Sequence, residues 1–474
     1  MICHIIRKEI LENLLSLRFI ISLLLIILLF AVSSFVFVGK YKQQSQDYWN
    51  RTNKNLSGLS EETEELYEVY FYKQSVWTKP KPLSFCAEGF EKYFPNHFKF
   101  NVFKMNYPEV KNRTNLMLSH FCDLDWSFII SLFLSFAALV FTYDSICGEK
   151  QAGTLRLMLA GSTTRHKILL GKYLGAMFTL GVPLLIGLLI NLIIVVVSNI
   201  FTLGFAEWLK IITIGLLSVT YLSIFVLLGL FVSSRTSRTA NCMVILLFAW
   251  VGLVILMPSF GRIFSNTFQK VSTKAERARA KAEALKQIMD NGYAEKYGKN
   301  AIEFDRDRNS PDVNPPARAR MANAMWEAED QILEEHLNQM MTQAVIGRRF
   351  MRFLPTTIYL NASEAVAGTG LNRFLELHQQ IRRYQEDLKE FIRSKDAEDP
   401  DSLHLLSPEW RTIKYWKTIS HKPVDFDTVP KFQERDLGLG ESLQSAIWDI
   451  GLLILFNLIF FTAAFVSFLR YDVR

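Results

Sequence analysis

The sequence predicts a mainly α-helical, polytopic membrane protein with six transmembrane helices and two polar domains. Half of the 474 residues are apolar, and six apolar runs follow one another along the chain. A run of roughly 20 residues is enough to cross the hydrocarbon core of a bilayer. The charged residues make up 21% of the chain and fall mainly between these runs, so part of the protein lies outside the membrane.

The amino terminus predicts a surface helix followed by the first span. Within residues 1–17, isoleucines line one side while Arg7, Lys8 and Glu9 lie largely on another, as in a helix at a membrane surface. The uncharged run 19–38 then predicts a spanning helix. A secretory signal peptide is the alternative, but the run is too long for such a signal and lacks a small-x-small cleavage site.

The short connections predict the orientation. Lys and Arg occur in 7–18, 150–172, 235–238 and 470–474, whereas the connection 199–208 has neither. Cytoplasmic loops carry the excess of Lys and Arg, so both termini are predicted to be cytoplasmic and both long polar regions extracytoplasmic. The predicted parts are the interface helix 1–17, spans 18–39, 125–143, 173–198, 209–233, 242–258 and 446–469, the cytoplasmic loop 144–172, and outer domains 40–124 and 259–445.

The first outer domain is predicted to be a small α+β unit. Its segment Leu66–Trp77 is rich in Tyr, Phe and Val and predicts a strand, and the prolines of 79–85 predict a turn or polyproline segment. Cys86 and Cys122 either form a disulfide in an oxidising compartment or are two separate buried thiols. The sequence leaves both open because it does not supply the geometry.

The second outer domain is predicted to be mostly helical. Apolar stripes spaced by three and four residues start at Ala275, Met321 and Phe374 and indicate three long amphipathic helices. The aromatic cluster at 410–416 is either a surface that faces a membrane or partner, or part of an ordinary core.

The motifs of common catalytic and binding sites are absent from the sequence. Gly171 and Lys172 are followed by Tyr173, so they do not complete a phosphate-binding loop, and ATP is not expected to bind this chain. No hydrolase, zinc-protease or paired-cysteine motif occurs. An acidic loop at 305–316 lacks the glycine and glutamate of a calcium loop. No catalytic residue, cofactor, metal or nucleic-acid site is predicted.

The predicted spans carry no ionisable residue near their middles. Ion-coupled carriers usually need such groups, so a secondary transporter is disfavoured and an apolar or amphiphilic cargo, or none, is favoured. Asn191 and Asn457 either form hydrogen bonds between helices or contact a substrate.

The segment Tyr143–Lys172, which we call the elbow, is a polar and net basic segment between two apolar runs. It contains a short helix with a narrow apolar stripe that is too short to be stable alone in water. We therefore expect it to dock on a partner surface. Its marked residues are Glu149, Gly153 and Thr154, followed by Leu155, Met158 and Leu159.

The elbow resembles the signature of ABC-2 type transporter permeases. The shared features are an acidic residue, a Gly-Thr pair, an apolar stripe, a Thr-Arg step and a Gly-Lys pair that enters the next helix. The segments RKEILENLLSLRF, KPKPLSF, FLPTTIYLNASEAVAGTG and FLRYDVR resemble the subgroup with large extracytoplasmic insertions after spans one and five. The resemblance covers nearly the whole chain.

The resemblance implies a permease of the bacterial cytoplasmic membrane that pairs with a second copy or a related permease. A separate cytoplasmic ATPase subunit would bind ATP and Mg and would contact the interface helix, at Arg7, Lys8 and Glu9, and the elbow. No substrate-binding residue carries over. The elbow residues implied in coupling are Glu149, Gly153, Thr154, Leu155, Arg156, Met158, Leu159 and Arg165.

Two outcomes of such coupling fit the sequence. The dimer passes a substrate, or its helices move the outer domains so that they act on an extracytoplasmic partner. A different class also fits, namely a membrane receptor or scaffold that does not transport and whose outer helices bind a ligand or partner.

Overall fold

The computed structural model describes residues 2–89, 94–106, 108, 124–160, 164–258, 260, 267–297, 315–408 and 417–470. Most of them are helical. The elements in chain order are α1 Ile2–Leu14, α2 Leu17–Glu62, α3 Leu66–Phe71, β1 Gln74–Trp77, β2 His97–Phe100, α4 Trp126–Ile129, α5 Ser135–Thr142, α6 Cys147–Gln151, α7 Thr154–Ala160, α8 Arg165–Val197, α9 Phe205–Arg235, α10 Thr239–Trp250, α11 Lys274–Tyr297, α12 Pro315–Phe350, α13 Pro355–Ala367, α14 Leu371–Ala397 and α15 Leu439–Leu469. A π-helical turn, Ile130–Leu134, joins α4 to α5, and another, Val251–Leu256, extends α10.

Six helices among the described residues are long and apolar enough to cross a membrane, which confirms the predicted number of spans. The first continues well beyond its predicted end at residue 39, since α2 runs to Glu62. No proline occurs in 40–62 to stop it, so the polar half of α2 extends the span and packs on β1.

Helix α9 lies at the centre of the spans. It packs against α15, α13, α5, α8 and α10. In its most apolar stretch of 18 residues, 67% of the residues are buried. In the corresponding stretch of α10 and its π-helical extension, only 11% of the residues are buried. The spans therefore form a bundle around α9, with α10 at the edge.

Helix α13 belongs to the region predicted as the second outer domain, yet it packs between α9 and α15. The Tyr359 ring stacks on the Tyr221 ring with centroids 4.5 Å apart. The Tyr359 hydroxyl is also 2.9 Å from Ser218 Oγ. Ser218 and Tyr221 lie within the α9 span, so α13 enters the helix bundle, a placement that the sequence did not predict.

The two polar regions share one packed unit. β1 and β2 form an antiparallel pair in which Gln74 faces Phe100. Phe98 of β2 packs with Phe374 of α14 at a centroid distance of 6.2 Å, and Leu337 of α12 belongs to the same buried cluster. We call this unit, built from both predicted outer domains, the polar unit.

The predicted strand over Leu66–Trp77 is half wrong. Leu66–Phe71 is helical, and only Gln74–Trp77 is a strand. The reason is a helix cap: the Glu68 carboxylate accepts a hydrogen bond from the Glu65 backbone N–H at 3.1 Å, which satisfies a free N–H at the helix start and outweighs β propensity.

The three long helices predicted for the second polar region are present as α11, α12 and α14. Cys86 is fully buried, while Cys122 lies outside the described residues, so their disulfide stays a prediction. The aromatic residues 410–416 and most of the acidic loop at 305–316 also lie outside the described residues.

Candidate functional site

The elbow contains two short helices, α6 and α7, joined at Gly153. Gly153 has a φ of +74°, in the left-handed region that favours glycine. The chain can therefore end α6 and start α7 in a new direction. The side chain of Lys150 holds α6 in place by donating to the carbonyl oxygens of Ser234 and Thr236 at the end of α9.

A single hydroxyl group caps α6. Ser233 Oγ accepts hydrogen bonds from the backbone N–H groups of Ile146 at 3.1 Å and Cys147 at 2.9 Å, and it donates to the Tyr143 carbonyl at 2.9 Å. Buried N–H groups at a helix start need such partners. The elbow is thus joined directly to the central helix α9. We call the end of the bundle that carries the elbow the elbow end.

The surface helix α1 packs along the start of α8. Two glycines one turn apart, Gly171 and Gly175, make room for it. A Cβ atom at Gly171 would lie 2.7 Å from Ile5 Cγ2, and one at Gly175 would lie 2.7 Å from Glu9 Cβ. Small residues at this spacing let two helix backbones approach closely.

A buried ammonium group lies where α1, α6 and α8 meet. The side chain of Lys172 is 1% exposed, and its Nζ is 2.6 Å from Glu9 Oε1 and 3.0 Å from Glu149 Oε1. Lys8 Nζ is 3.4 Å from the same Glu149 oxygen. We call Lys8, Glu9, Glu149 and Lys172 the Lys172 cluster. Two positive and two negative groups balance, as a buried charge requires.

The environment of the Lys172 cluster shifts the pKa values of its members on α1. Burial raises the pKa of the Glu9 carboxyl, and the Lys172 ammonium acts in the opposite direction. Burial alone would lower the pKa of Lys8, but the carboxylates of Glu149 and Glu12 outweigh it and raise that pKa. The ionised pairing thus depends on all members being present.

A second ion pair closes the elbow end. Arg18 Nη1, at the start of α2, is 2.8 Å from Asp144 Oδ2, and the guanidinium carbon lies 5.1 Å from the centre of the Tyr143 ring. Both residues of the pair are partly exposed. The pair therefore helps to position the elbow against α2 but contributes little to the free energy of unfolding.

A model of the ABC-2 family transporter proteins matches residues 3–473. The chain belongs to this family. No curated protein matches the chain. Members of the family are membrane components of transporters, which agrees with the six candidate spans. The resemblance predicted from the elbow motif is confirmed.

This ABC-2 protein brings some of the predicted site residues together and separates others. Glu9, Lys8 and Glu149 meet in the Lys172 cluster, whereas Arg7 is exposed on α1. Arg165 donates to the Leu469 carbonyl at the end of α15.

The apolar stripe of α7 faces its own chain. Leu155 has no exposed surface, and Met158 and Leu159 are half-buried against the main core. The exposed side of the helix carries Leu157, 76% exposed, with Thr154 and Arg156, and the preceding Gly153 is exposed as well. The partner surface expected for the stripe is therefore supplied within the chain.

The sequence did not single out three residues that position the site. In the sequence, Lys172 is half of a Gly-Lys pair and one of the basic residues that indicate orientation, and the pattern assigns no contact to Arg18 or Ser233. The available signal was a lysine at the start of an apolar run beside glycines four residues apart. Within the described ranges, no group of three or more His, Cys, Asp or Glu side chains is arranged to hold a metal.

Proposed function

We propose that this ABC-2 protein is the membrane-spanning permease subunit of an ATP-driven transporter and that its elbow end docks a separate ATPase, which binds ATP and Mg. The observation that carries the proposal is the Lys172 cluster. It joins the surface helix α1, the elbow helix α6 and the span α8 through one buried ammonium. A displacement of either surface element is thereby passed to the span.

The charges at the elbow end support a cytoplasmic location for it. Arg18, Arg165, Arg235, Arg238 and Arg470 all lie at this end of the spans, and a cytoplasmic excess of Lys and Arg is the rule for membrane proteins. The polar unit would then be extracytoplasmic. We propose the bacterial cytoplasmic membrane as the location, as the family resemblance implies.

The docking surface we propose is the exposed side of α7 together with the exposed face of α1. Thr154, Arg156 and Leu157 are exposed on α7, and Arg7 is exposed on α1. Behind this surface lie Leu155, which is buried in the core, and Glu149, which is half-buried in the Lys172 cluster. Such a surface combines an exposed apolar anchor with flanking charges, as many protein interfaces do.

A second copy of the permease, or a related permease, would complete the transporter. Helix α10 offers a face for it, since Val244, Ile245, Leu247 and Phe248 are all more than 40% exposed. An apolar face of this kind in a membrane helix contacts either lipid or another subunit. Its position at the edge of the bundle suits a subunit contact.

Copurification tests the docking surface. The full chain is expressed with candidate ATPase subunits and purified in detergent, and bound ATPase and ATP hydrolysis are measured. We expect the double variant Arg156→Glu and Leu157→Asp to lose the ATPase while the permease still reaches the membrane. Arg279→Glu, an exposed charge reversal on α11 of the polar unit, is the matched control and should retain it.

Two other results of the copurification would contradict the proposal. Undiminished recruitment by the double variant would refute the assigned surface. If no ATPase copurifies with the unmodified chain, the transporter proposal fails and a receptor or scaffold becomes the better explanation.

A second outcome of coupling, action on an extracytoplasmic partner, is favoured by the junction between the polar unit and the spans. Glu434, just before α15, is 2.8 Å from Arg373 Nη2 of α14 and 2.8 Å from Lys81 Nζ. All three side chains are at least 90% buried. Movement of α15 would therefore move the polar unit. Liposomes that contain permease and ATPase distinguish the outcomes, because only a transporter changes the contents or lipid distribution of the vesicle.

A further inference from the structure

A groove opens between α9 and α15 at the elbow end, with a volume of about 580 Å³. Its walls are mainly apolar and include Phe231, Leu458 and Val466. Two guanidinium groups, those of Arg235 and Arg470, lie at one end. The groove is separate from the Lys172 cluster and from the proposed docking surface on α7.

The lining residues form a stripe that runs from apolar to charged. On α15, Leu458, Thr462, Val466 and Arg470 are spaced by four residues, so they share one face of the helix over about 18 Å. On α9, Phe231 precedes Arg235 by the same spacing. Both helices thus lead from apolar side chains to an arginine at the same end of the bundle.

The described part of the chain leaves this stripe open. Leu458 is 59% exposed and Ile459 52% exposed, although both belong to a span. Arg235 and Arg470 are exposed as well, and neither forms an ion pair with a carboxylate of the described residues. A hydrogen bond joins the two helices beside the groove, since Ser234 Oγ donates to Ser467 Oγ at 2.6 Å.

We propose that the groove binds one anionic phospholipid. An acyl chain would lie along the apolar stripe, and the phosphate would lie between the two guanidinium groups. Guanidinium groups suit phosphate because they donate paired hydrogen bonds and keep their charge, and basic pockets between membrane helices are known to hold anionic headgroups. The bound lipid would bridge the ends of α9 and α15. This inference does not depend on coupling to an ATPase.

The apolar stripe and the two arginines of the groove favour an anionic phospholipid over a zwitterionic lipid or a second copy of the chain. A zwitterionic lipid fits the apolar stripe equally well but leaves two positive groups without a net negative partner. A second copy of the chain would have to bring carboxylates to this end of the bundle. A lipid with a phosphate on a glycerol backbone supplies both halves of the match in one molecule.

Native mass spectrometry of the full-length protein in detergent tests the site. The protein is titrated with phosphatidylglycerol and, separately, with phosphatidylcholine of the same acyl chains. We expect one phosphatidylglycerol per chain to bind preferentially. The double variant R235Q/R470Q should bind it about thirtyfold more weakly, as the loss of two charge contacts near a membrane surface implies, while phosphatidylcholine binding should not change.

Two further variants distinguish binding at this groove from a general effect of positive charge and from misfolding of the variant. R238Q removes an exposed arginine at the same end but outside the groove and should retain the preferred lipid. Thr462→Trp fills the groove with both arginines present and should displace the lipid. Each variant is first checked by size-exclusion chromatography for the same elution as the unmodified protein.

Three results would overturn the proposal. R235Q/R470Q could bind phosphatidylglycerol as tightly as the unmodified protein, or R238Q could lose as much binding, which would indicate diffuse charge rather than a site. Thr462→Trp could retain the lipid but convert a dimer into a monomer, which would identify the groove as a contact between two copies of the chain.

Discussion

Lys172 Nζ lies 2.6 Å from Glu9 Oε1, although 163 residues separate them in the chain. The lysine side chain is 1% exposed, and it belongs to a helix that also starts a membrane span. This pair fixes the surface helix α1 on α8, and the contact of Lys172 with Glu149 fixes the elbow on the same point. The ion pairs that join α1 and α6 to α8 therefore meet at one side chain.

Replacing Lys172 by Met should destabilise the protein strongly. The substitution leaves Glu9 and Glu149 buried near each other without their shared cation, and breaking a buried ion pair in this way costs about 3 to 5 kcal/mol. The triple variant K172M/E9Q/E149Q removes the charges together and should recover most of the loss. Thermal unfolding of the purified protein in detergent measures both. A triple variant as unstable as K172M would show that packing, not charge, is the cause.

Gly175→Ala should loosen α1, because the added methyl group would lie 2.7 Å from Glu9 Cβ. Such overpacking typically costs about 1 to 3 kcal/mol. Gly181→Ala, in the same helix, is the matched control because a Cβ there meets nothing within 4 Å; it should be neutral or slightly stabilising, since Ala favours helix over Gly. Thermal unfolding compares the two. Equal stability of both variants would contradict the close contact between α1 and α8.

The sequence predicted the spans well because a span is a local property of about 20 consecutive side chains. It could not predict the Lys172 cluster, since the partners at positions 9, 149 and 172 meet only when three helices pack. The placement of α13 is a similar case. Its residues Pro355–Ala367 mix polar and apolar types and are too few to cross a bilayer, and their burial depends on the distant Tyr221 and Ser218.

The sequence also could not predict which surface the apolar face of α7 contacts. A narrow stripe of Leu155, Met158 and Leu159 indicates that the helix has one apolar face, but it does not say whether that face meets its own chain or another protein. The structure places Leu155 in the core. For this reason the docking experiment uses Arg156 and Leu157 on the other side.

Glu434 should make the junction of the polar unit sensitive to acid. Burial alone would raise the pKa of this carboxyl, but Arg373 and Lys81 outweigh burial and lower the pKa from 4.5 to about 2. Because the folded-state pKa is the lower one, the stabilisation is complete above pH 4.5 and is lost as the pH falls towards 2. Its size is about 3 kcal/mol from the shift.

The comparison with Glu434→Gln isolates this contribution from the other carboxyl groups. At neutral pH the variant should unfold at a lower temperature than the unmodified protein, because Arg373 and Lys81 lose a charged partner in a buried site. The gap should narrow as the pH falls below about 4. A gap that stays constant over this range would show that Glu434 contributes by packing and not through its charge.

The pair formed by Arg352 and Asp449 should connect α13 to α15. Arg352 lies just before α13, and its Nε is 3.0 Å from Asp449 Oδ1 of α15, where the carboxylate is 4% exposed. Arg352→Met would leave that carboxylate buried without a cation. Since Arg352 itself is 36% exposed, water compensates in part, and we expect a loss of about 2 kcal/mol rather than the full cost of a dry pair.

A double-mutant cycle decides whether this contact is a direct pair. Asp449→Asn alone should cost less than Arg352→Met, since the amide oxygen still accepts a hydrogen bond from the guanidinium. The double variant R352M/D449N should be more stable than the sum of the single losses predicts, with a coupling energy of about 1 kcal/mol. Strictly additive losses in thermal unfolding would mean that the two residues act separately. In that case the hold of α13 on the bundle would rest on the stacked Tyr221 and Tyr359 rings and their hydrogen bonds.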